Sequence, residues 1–242
     1  MTATKITDYA TWGLAAARPA TPANDSAASS FYYATDTNVL SVYANGGWHT
    51  VTAASSDPAV VQQKAAVNTN SVVMASGPVQ GNLLLAITSD LGSSETASAG
   101  WTKINFTAGA QDGSGFFWKV AGVSESTTQT PLTGLSTGSV TVFEISNATP
   151  AALWINNVDL SGTAIAASLT IAKAKLVVGV ATNRSTTGPT SITNATLLGS
   201  AATGGSRAAQ PFKITTPAQG SNTVTANYAT SQGATIPMIE IG

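Results

Sequence analysis

The chain has no cysteine, one histidine and few charges, and each shortage removes a class of function. Without cysteine there is no disulfide, no thiolate nucleophile and no sulfur-ligated metal. His49 stands alone beside Trp48, so a Ser-His-Asp triad lacks a nucleophile elbow and a zinc site lacks its other ligands. Charged residues are 9% of 242 and the formal net charge is −1. Nucleic-acid binding needs a basic face to neutralise phosphates, and none is encoded. No apolar run approaches the roughly 20 residues that span a bilayer, and Met1–Asp8 has no apolar signal-peptide core. The expectation is a protein made in the cytosol without a signal peptide, with no cofactor, no metal and no membrane insertion.

What is abundant is alanine, glycine, serine, threonine and asparagine around a 43% hydrophobic content. From Ala59 onward, short strand-like stretches alternate with Gly- and Ser-rich turns. They cover 59–67, 71–75, 82–88, 101–106, 115–121, 139–145, 153–160, 167–171, 175–181, 195–198, 211–215, 222–229 and 235–241. Asp57-Pro58 has the chemistry of a helix N-cap and first turn, but Val60, Val61 and Val67 favour a pleat. The pattern predicts an all-β chain. Residues 1–56 form an arm and small β-meander, and residues 57–242 form one antiparallel, jelly-roll-like β-sandwich.

The second part repeats itself. Leu83-Leu84-Leu85-Ala86 is echoed by Leu176-Val177-Val178-Gly179, and Phe117-Trp118-Lys119-Val120 by Pro211-Phe212-Lys213-Ile214. Val142-Phe143-Glu144-Ile145 is echoed by Met238-Ile239-Glu240-Ile241. Each half is too short to bury a sandwich core alone, so the two halves are expected to build one core together.

The first part concentrates aromatics. Phe31, Tyr32, Tyr33, Tyr43 and Trp48 are five of the chain's sixteen, and a hairpin-sized unit cannot bury them unaided. Asp36-Thr37-Asn38 and Asn45-Gly46-Gly47 supply the turns between strands. The order of a proline-containing lead, Phe31-Tyr32-Tyr33-Ala34-Thr35-Asp36-Thr37, a strand and Asn45-Gly46-Gly47-Trp48 resembles a segment recurring in bacteriophage head and tail appendage proteins. A second resemblance runs through Gly81-Asn82-Leu83-Leu84-Leu85-Ala86, Gly100-Trp101-Thr102, Trp118-Lys119-Val120-Ala121 and Val142-Phe143-Glu144-Ile145. It is to β-domains of phage and bacterial surface proteins. Together these resemblances imply a jelly-roll-like domain on an external virion protein, sometimes with carbohydrate affinity, and no reaction.

Three constellations bear on chemistry. Glu144 and Glu240 occupy equivalent repeat positions and are the candidate glycosidase pair, but contacts with Lys119 and Lys213 are the plainer reading. Asp112-Gly113-Ser114-Gly115 supplies one carboxylate where calcium wants several, and reads as a hairpin turn. Trp101 follows Gly100 at the start of a strand, where an exposed indole would stack on a sugar. Asn183 and Arg184, in a polar loop, would add hydrogen bonds; Trp118 and Trp154 read as core.

The sequence therefore reads as a non-enzymatic virion structural protein, a short head fibre, spike or tail fibre component. Phe31, Tyr32, Tyr33, Tyr43 and Trp48 would anchor it to other virion proteins or form a trimer. The sandwich would face the host surface and bind glycan through Trp101, Asn183 and Arg184. The alternatives are a purely structural capsid decoration protein and, third, a glycan-processing enzyme.

Overall fold

Strands are the only regular structure among the described residues, as the period-two patterns require. The structure is a computed structural model. It describes residues 10–13, 30–34, 39–44, 47–51, 57–90, 95–107, 113–135, 137–148, 155–156, 159–171, 176–215, 217 and 219–241. The chain divides into two units, Met1–Ser56 and Asp57–Gly242.

In the first unit β1 (Ala10–Gly13), β2 (Ser30–Ala34), β3 (Val39–Ala44) and β4 (Gly47–Val51) make one four-stranded sheet in that order. The meander β2–β3–β4 is antiparallel, with Tyr43 opposite Trp48 and Val42 opposite His49. Strand β1 joins it in parallel, placing Trp12 opposite Tyr33. Parallel pairing needs a connection of about a dozen residues or more, and residues 14–29 provide the length. Ser41 is buried and Trp48 half-buried. The predicted turn at Asp36-Thr37-Asn38 lies outside the described residues, as does most of that at Asn45-Gly46.

The first half of the second unit supplies β5 (Ala59–Val67), β6 (Val72–Val73), β7 (Leu83–Asp90), β8 (Thr96–Ala97) and β9 (Thr102–Thr107). It continues with β10 (Gly113–Val120), β11 (Thr128–Gln129), β12 (Leu132–Thr133) and β13 (Gly138–Ser146). The second half gives β14 (Ile155–Asn156), β15 (Asp159–Ile171), β16 (Leu176–Asn183), β17 (Ser191–Thr193) and β18 (Thr196–Leu197). Then come β19 (Ala202–Gly204), β20 (Arg207–Thr215), β21 (Gly220–Thr235) and β22 (Met238–Ile241).

Each half builds one main sheet on the same plan, and the first half adds the two-stranded pairs β6–β11 and β8–β12. The first runs β5-β13-β7-β10-β9; the second runs β14-β22-β16-β20-β18, extended by the remaining strands. Register makes the correspondence residue by residue. Leu83 and Leu84 oppose Ile145 and Glu144, as Leu176 and Val177 oppose Ile241 and Glu240. On the other side Ala86 opposes Phe117, as Gly179 opposes Phe212.

One sequence match is corrected by this register. Lys119 corresponds to Ile214, and Lys213 to Trp118, because Lys119 and Ile214 oppose the equivalent Leu84 and Val177. A slip of one residue exchanges the two faces of a strand, so the two lysines point to different sides. The connectivity also departs from that of a jelly roll, whose strands pass back and forth between sheets. Here the five-stranded sheet is complete before the nine-stranded one begins, and the chain leaves the former only for the short β6–β11 and β8–β12 pairs.

Alternation then sorts the side chains into three apolar layers. Leu83, Leu85, Phe143 and Ile145 meet Leu176, Val178, Ile239 and Ile241 between the sheets. Leu84, Ala86, Phe117 and Val142 turn outward, where Val72, Met74, Trp101 and Leu132 cover them. Val177, Phe212 and Met238 turn outward from the second sheet, covered by Ile165, Leu169, Val224 and Tyr228 of the long β15–β21 hairpin. Central strands are thus buried on both faces, which explains why β7 and β16 are nearly unbroken apolar runs.

Gly179 shows how tight the outer layer is. A β-carbon there would lie 2.4 Å from Cζ of Phe212, whereas the first half carries Ala86 against Phe117. Gly179→Ala should therefore destabilise the protein by about 1–3 kcal/mol through overpacking. A thermal shift of zero for this variant would show that the Phe212 ring has room to move.

Candidate functional site

Trp101 is not a surface platform. It is 7% exposed and belongs to the outer core of the first sheet, with Val72, Met74, Phe117 and Leu132. A turn places it there: the Trp101 amide donates to Ser98 O at 3.0 Å, and Gly100 carries a φ of 81°. The indole ring is covered by Lys119, whose Nζ lies 5.0 Å from its centroid. The sequence placed Trp101 on the surface because Gly100-Trp101 reads as a loop exit. The signal that it is core lies in segments 72–74 and 132–135, which fold over it.

Lys119 in turn pairs with Glu125 at 2.7 Å, each side chain being mostly buried. Burial alone would raise the Glu125 pKa. The Lys119 ammonium, the Gly122 amide and the Gln129 side chain outweigh it and hold the carboxyl below its ordinary value. A depressed folded-state pKa adds stability that is complete above the unfolded carboxylate value, about 4.3 for glutamate. That stability is lost as pH falls through the lower folded value. Glu125→Gln should cost about 1 kcal/mol at pH 7 and flatten the acid limb of the stability curve below about pH 4. Denaturant titrations at pH 3, 4.5 and 7 would check it; parallel curves for variant and parent would refute the assignment.

Asn183 is fully buried at the end of β16 and donates from Nδ2 to Thr187 O at 2.8 Å. It organises the 184–190 loop and is not available to a sugar. Arg184 is exposed, and its backbone amide donates to Gly233 O at 3.2 Å. Trp101 and Asn183 also belong to different sheets, so the structure does not assemble the expected glycan patch. Trp118 is half-buried against the inter-sheet core; Trp154 lies outside the described residues.

The two glutamates are equivalent but not a pair. Glu144 and Glu240 sit on the outward faces of different sheets, since Phe143, Ile145, Ile239 and Ile241 point inward. Packed sheets stand roughly 10 Å apart before any outward displacement is added, beyond a retaining pair and at the limit of an inverting one. Nor does Glu144 contact Lys119. It is wholly buried, and its Oε1 accepts from Val79 N at 2.8 Å and Asn82 Nδ2 at 2.6 Å, while Oε2 accepts from Gln62 Nε2 at 2.6 Å. Its work is to fasten the 76–82 segment to β5. Gly113-Ser114-Gly115 is likewise strand rather than turn: a β-carbon on Gly115 would meet Glu95 Oε2 at 2.6 Å.

A cleft of ≈ 460 Å³ lies between β5, β6 and the chain following β18. It is lined by Gln63, Lys64 and Ala65 of β5, by Val73 and Ala75, and by Gly199 to Ala202. Gln63 Nε2 donates to Leu198 O at 2.8 Å, tying the two halves there. The strand-like stretches read from the sequence leave a gap between 198 and 211, where β19 and β20 form a hairpin through Gly205-Ser206. Among the described residues no group of three or more His, Asp or Glu side chains could hold a metal ion, and no helix is long and apolar enough to cross a membrane. The side chains of Phe31, Tyr32, Tyr33 and Tyr43 fall outside the described residues. No family model, curated protein or solved structure matches the chain.

Proposed function

We propose that the chain is a non-enzymatic structural protein of a bacteriophage particle, anchored or trimerised through residues 1–56 and displaying the sandwich of 57–242. The observation that carries this reading is the first unit. Its described residues form one four-stranded sheet, and Phe31, Tyr32, Tyr33, Tyr43 and Trp48 put five aromatic residues on so small a unit, more than a meander buries alone. Domains are stable as packed layers, and a partner surface supplies one. The resemblance of the Phe31–Thr37 and Asn45–Trp48 segments to phage appendage proteins supports a virion partner.

With Trp101 and Asn183 buried, the capsid-decoration form of this reading moves ahead of receptor binding. In the second unit Glu125 and Glu144 are spent on holding loops. Host-glycan attachment is the second reading, favoured by the cleft around Gln63 and Lys64; repeated weak contacts would then act through multivalency.

Sedimentation equilibrium of the full chain at micromolar concentration should give a trimer. The protein should also band with phage particles in a density gradient and be labelled on them by antibody. A clean monomer would remove the oligomerisation role, and absence from particles would remove the virion assignment.

A further inference from the structure

We propose that ordered water occupies the polar end of the layer between the two sheets and joins them there through hydroxyl groups of both halves. The repeat itself sets up the site. Ser89 opposes Ser139 in the first sheet, and Thr182 opposes Thr235 in the second. The two pairs are equivalent, each lying six positions along from the matched pairs Leu83–Ile145 and Leu176–Ile241. Alternation turns all four inward, since Ile87 and Val180 belong to the inter-sheet core and Ala181 and Ala234 to the outer one. Thr141 joins them, two residues from Ser139 and two from the inward Phe143 on β13.

Both pairs lie at the same end of the sandwich. A β-carbon on Gly204 would lie 2.9 Å from Cγ2 of Val67, and Val67 opposes Ser139. Gly204 in turn opposes Arg207, which stands two residues before the inward-facing Ala209 on β20. Elsewhere the layer is filled by Leu83, Leu85, Phe143, Leu176, Ile239 and Ile241. Side chains of that size set the spacing of packed sheets at roughly 10 Å. Serine and threonine are too short to fill it from both sides, so the packing falls short where the lining is polar.

The hydroxyls identify the occupant. Ser89, Ser139, Thr141 and Thr235 are at most 2% exposed, and none of their hydroxyl oxygens has a hydrogen-bond partner in the protein. A hydroxyl stranded away from water is costly, and here four share one layer at one end of the sandwich. An apolar filling would leave all four unserved. A hydroxyl both donates and accepts, and water matches it in both roles. A buried water makes about three hydrogen bonds, so roughly one or two waters serve the four groups. Arg207, also buried, brings a charge to the same face, which favours a polar filling further. The site belongs to the fold itself and does not depend on a virion role.

Oxygen-17 magnetic relaxation dispersion on the full chain reads water held inside a protein and tests the site directly. Ser139→Ala, Thr141→Val and Thr235→Val, made singly, change little in volume, and each should lower the dispersion amplitude by about one water. Thr141→Ser keeps the hydroxyl and should retain the parent amplitude. Thermal unfolding gives an independent sign. If water bridges these groups, removing a hydroxyl costs that water a partner and lowers the midpoint. A dry, stranded hydroxyl would instead be relieved by its isosteric replacement, and the midpoint would rise. The proposal is overturned if no folded variant lowers the amplitude, or if Thr141→Val and Thr235→Val raise the midpoint. A parent amplitude that falls as chloride is added would assign the space to an anion beside Arg207 and would overturn it equally.

Discussion

Replacing Trp101 with alanine should lower the unfolding free energy by about 3–5 kcal/mol, the usual cost of truncating a buried large aromatic. The residue is 7% exposed among Val72, Met74, Phe117 and Leu132. Its removal opens a cavity that the surrounding segments can only partly close. The Lys119 ammonium, 5.0 Å above the ring, loses its π-face as well. Its pairing with Glu125 then holds down a loop with nothing beneath it. Trp101→Phe keeps most of the buried area and should cost about 1–2 kcal/mol. Urea titrations would show a lowered midpoint with an unchanged slope. A loss below about 1 kcal/mol for the alanine variant would restore Trp101 to the surface and with it the glycan-platform reading.

The parts of this fold that were legible are those where burial imposes a period. Ala59–Val67 and the Leu-Leu-Leu-Ala run of β7 were readable because valine and leucine outweigh local turn signals. The duplication was readable because both halves place the same apolar triplets beside a glutamate. Its lysine match slipped by one residue because sequence similarity rewards Lys119 over Lys213 while the pleat counts faces. The long β15 and β21 were read too short. Their buried positions include Ala167 and Ala226, which carry little hydrophobic signal beside Ser, Thr, Asn and Gly. The two-residue pairings β6–β11 and β8–β12 are too brief to show any period. Yet they place the cover over Trp101, so the candidate site failed for the reason the fold was incomplete. A surface is defined by what folds over it, and that is written in distant segments. The same holds for the Gln63–Lys64 cleft, part of whose lining comes from the other half of the repeat.

Glu144→Ala should cost about 3 kcal/mol, by a mechanism unlike that of Trp101. Three donors converge on this carboxylate: the Val79 amide, Asn82 Nδ2 and Gln62 Nε2. Alanine leaves them without their charged acceptor, and a donor stranded away from water costs roughly 1–3 kcal/mol, less where solvent can enter. Val79 is exposed and Asn82 half-buried, so water recovers part of the loss. Glu144→Gln separates charge from shape. Its oxygen can still serve Val79 and Asn82, but its NH2 would then face the Gln62 amide, donor against donor. Gln62 cannot turn over to accept, because its own amide is engaged at both ends by Ser76: Ser76 N donates to Oε1 at 3.2 Å, and Nε2 donates to Ser76 O at 3.1 Å. Glutamine should therefore cost about 1–2 kcal/mol rather than nothing. Hydrogen exchange gives the local reading, since amides of residues 76–82 should lose protection before those of β7 and β13. If Glu144→Gln matches the parent in both stability and exchange, the carboxylate is not the fastening. Gln62 and Ser76 alone would then hold the segment against the sheet.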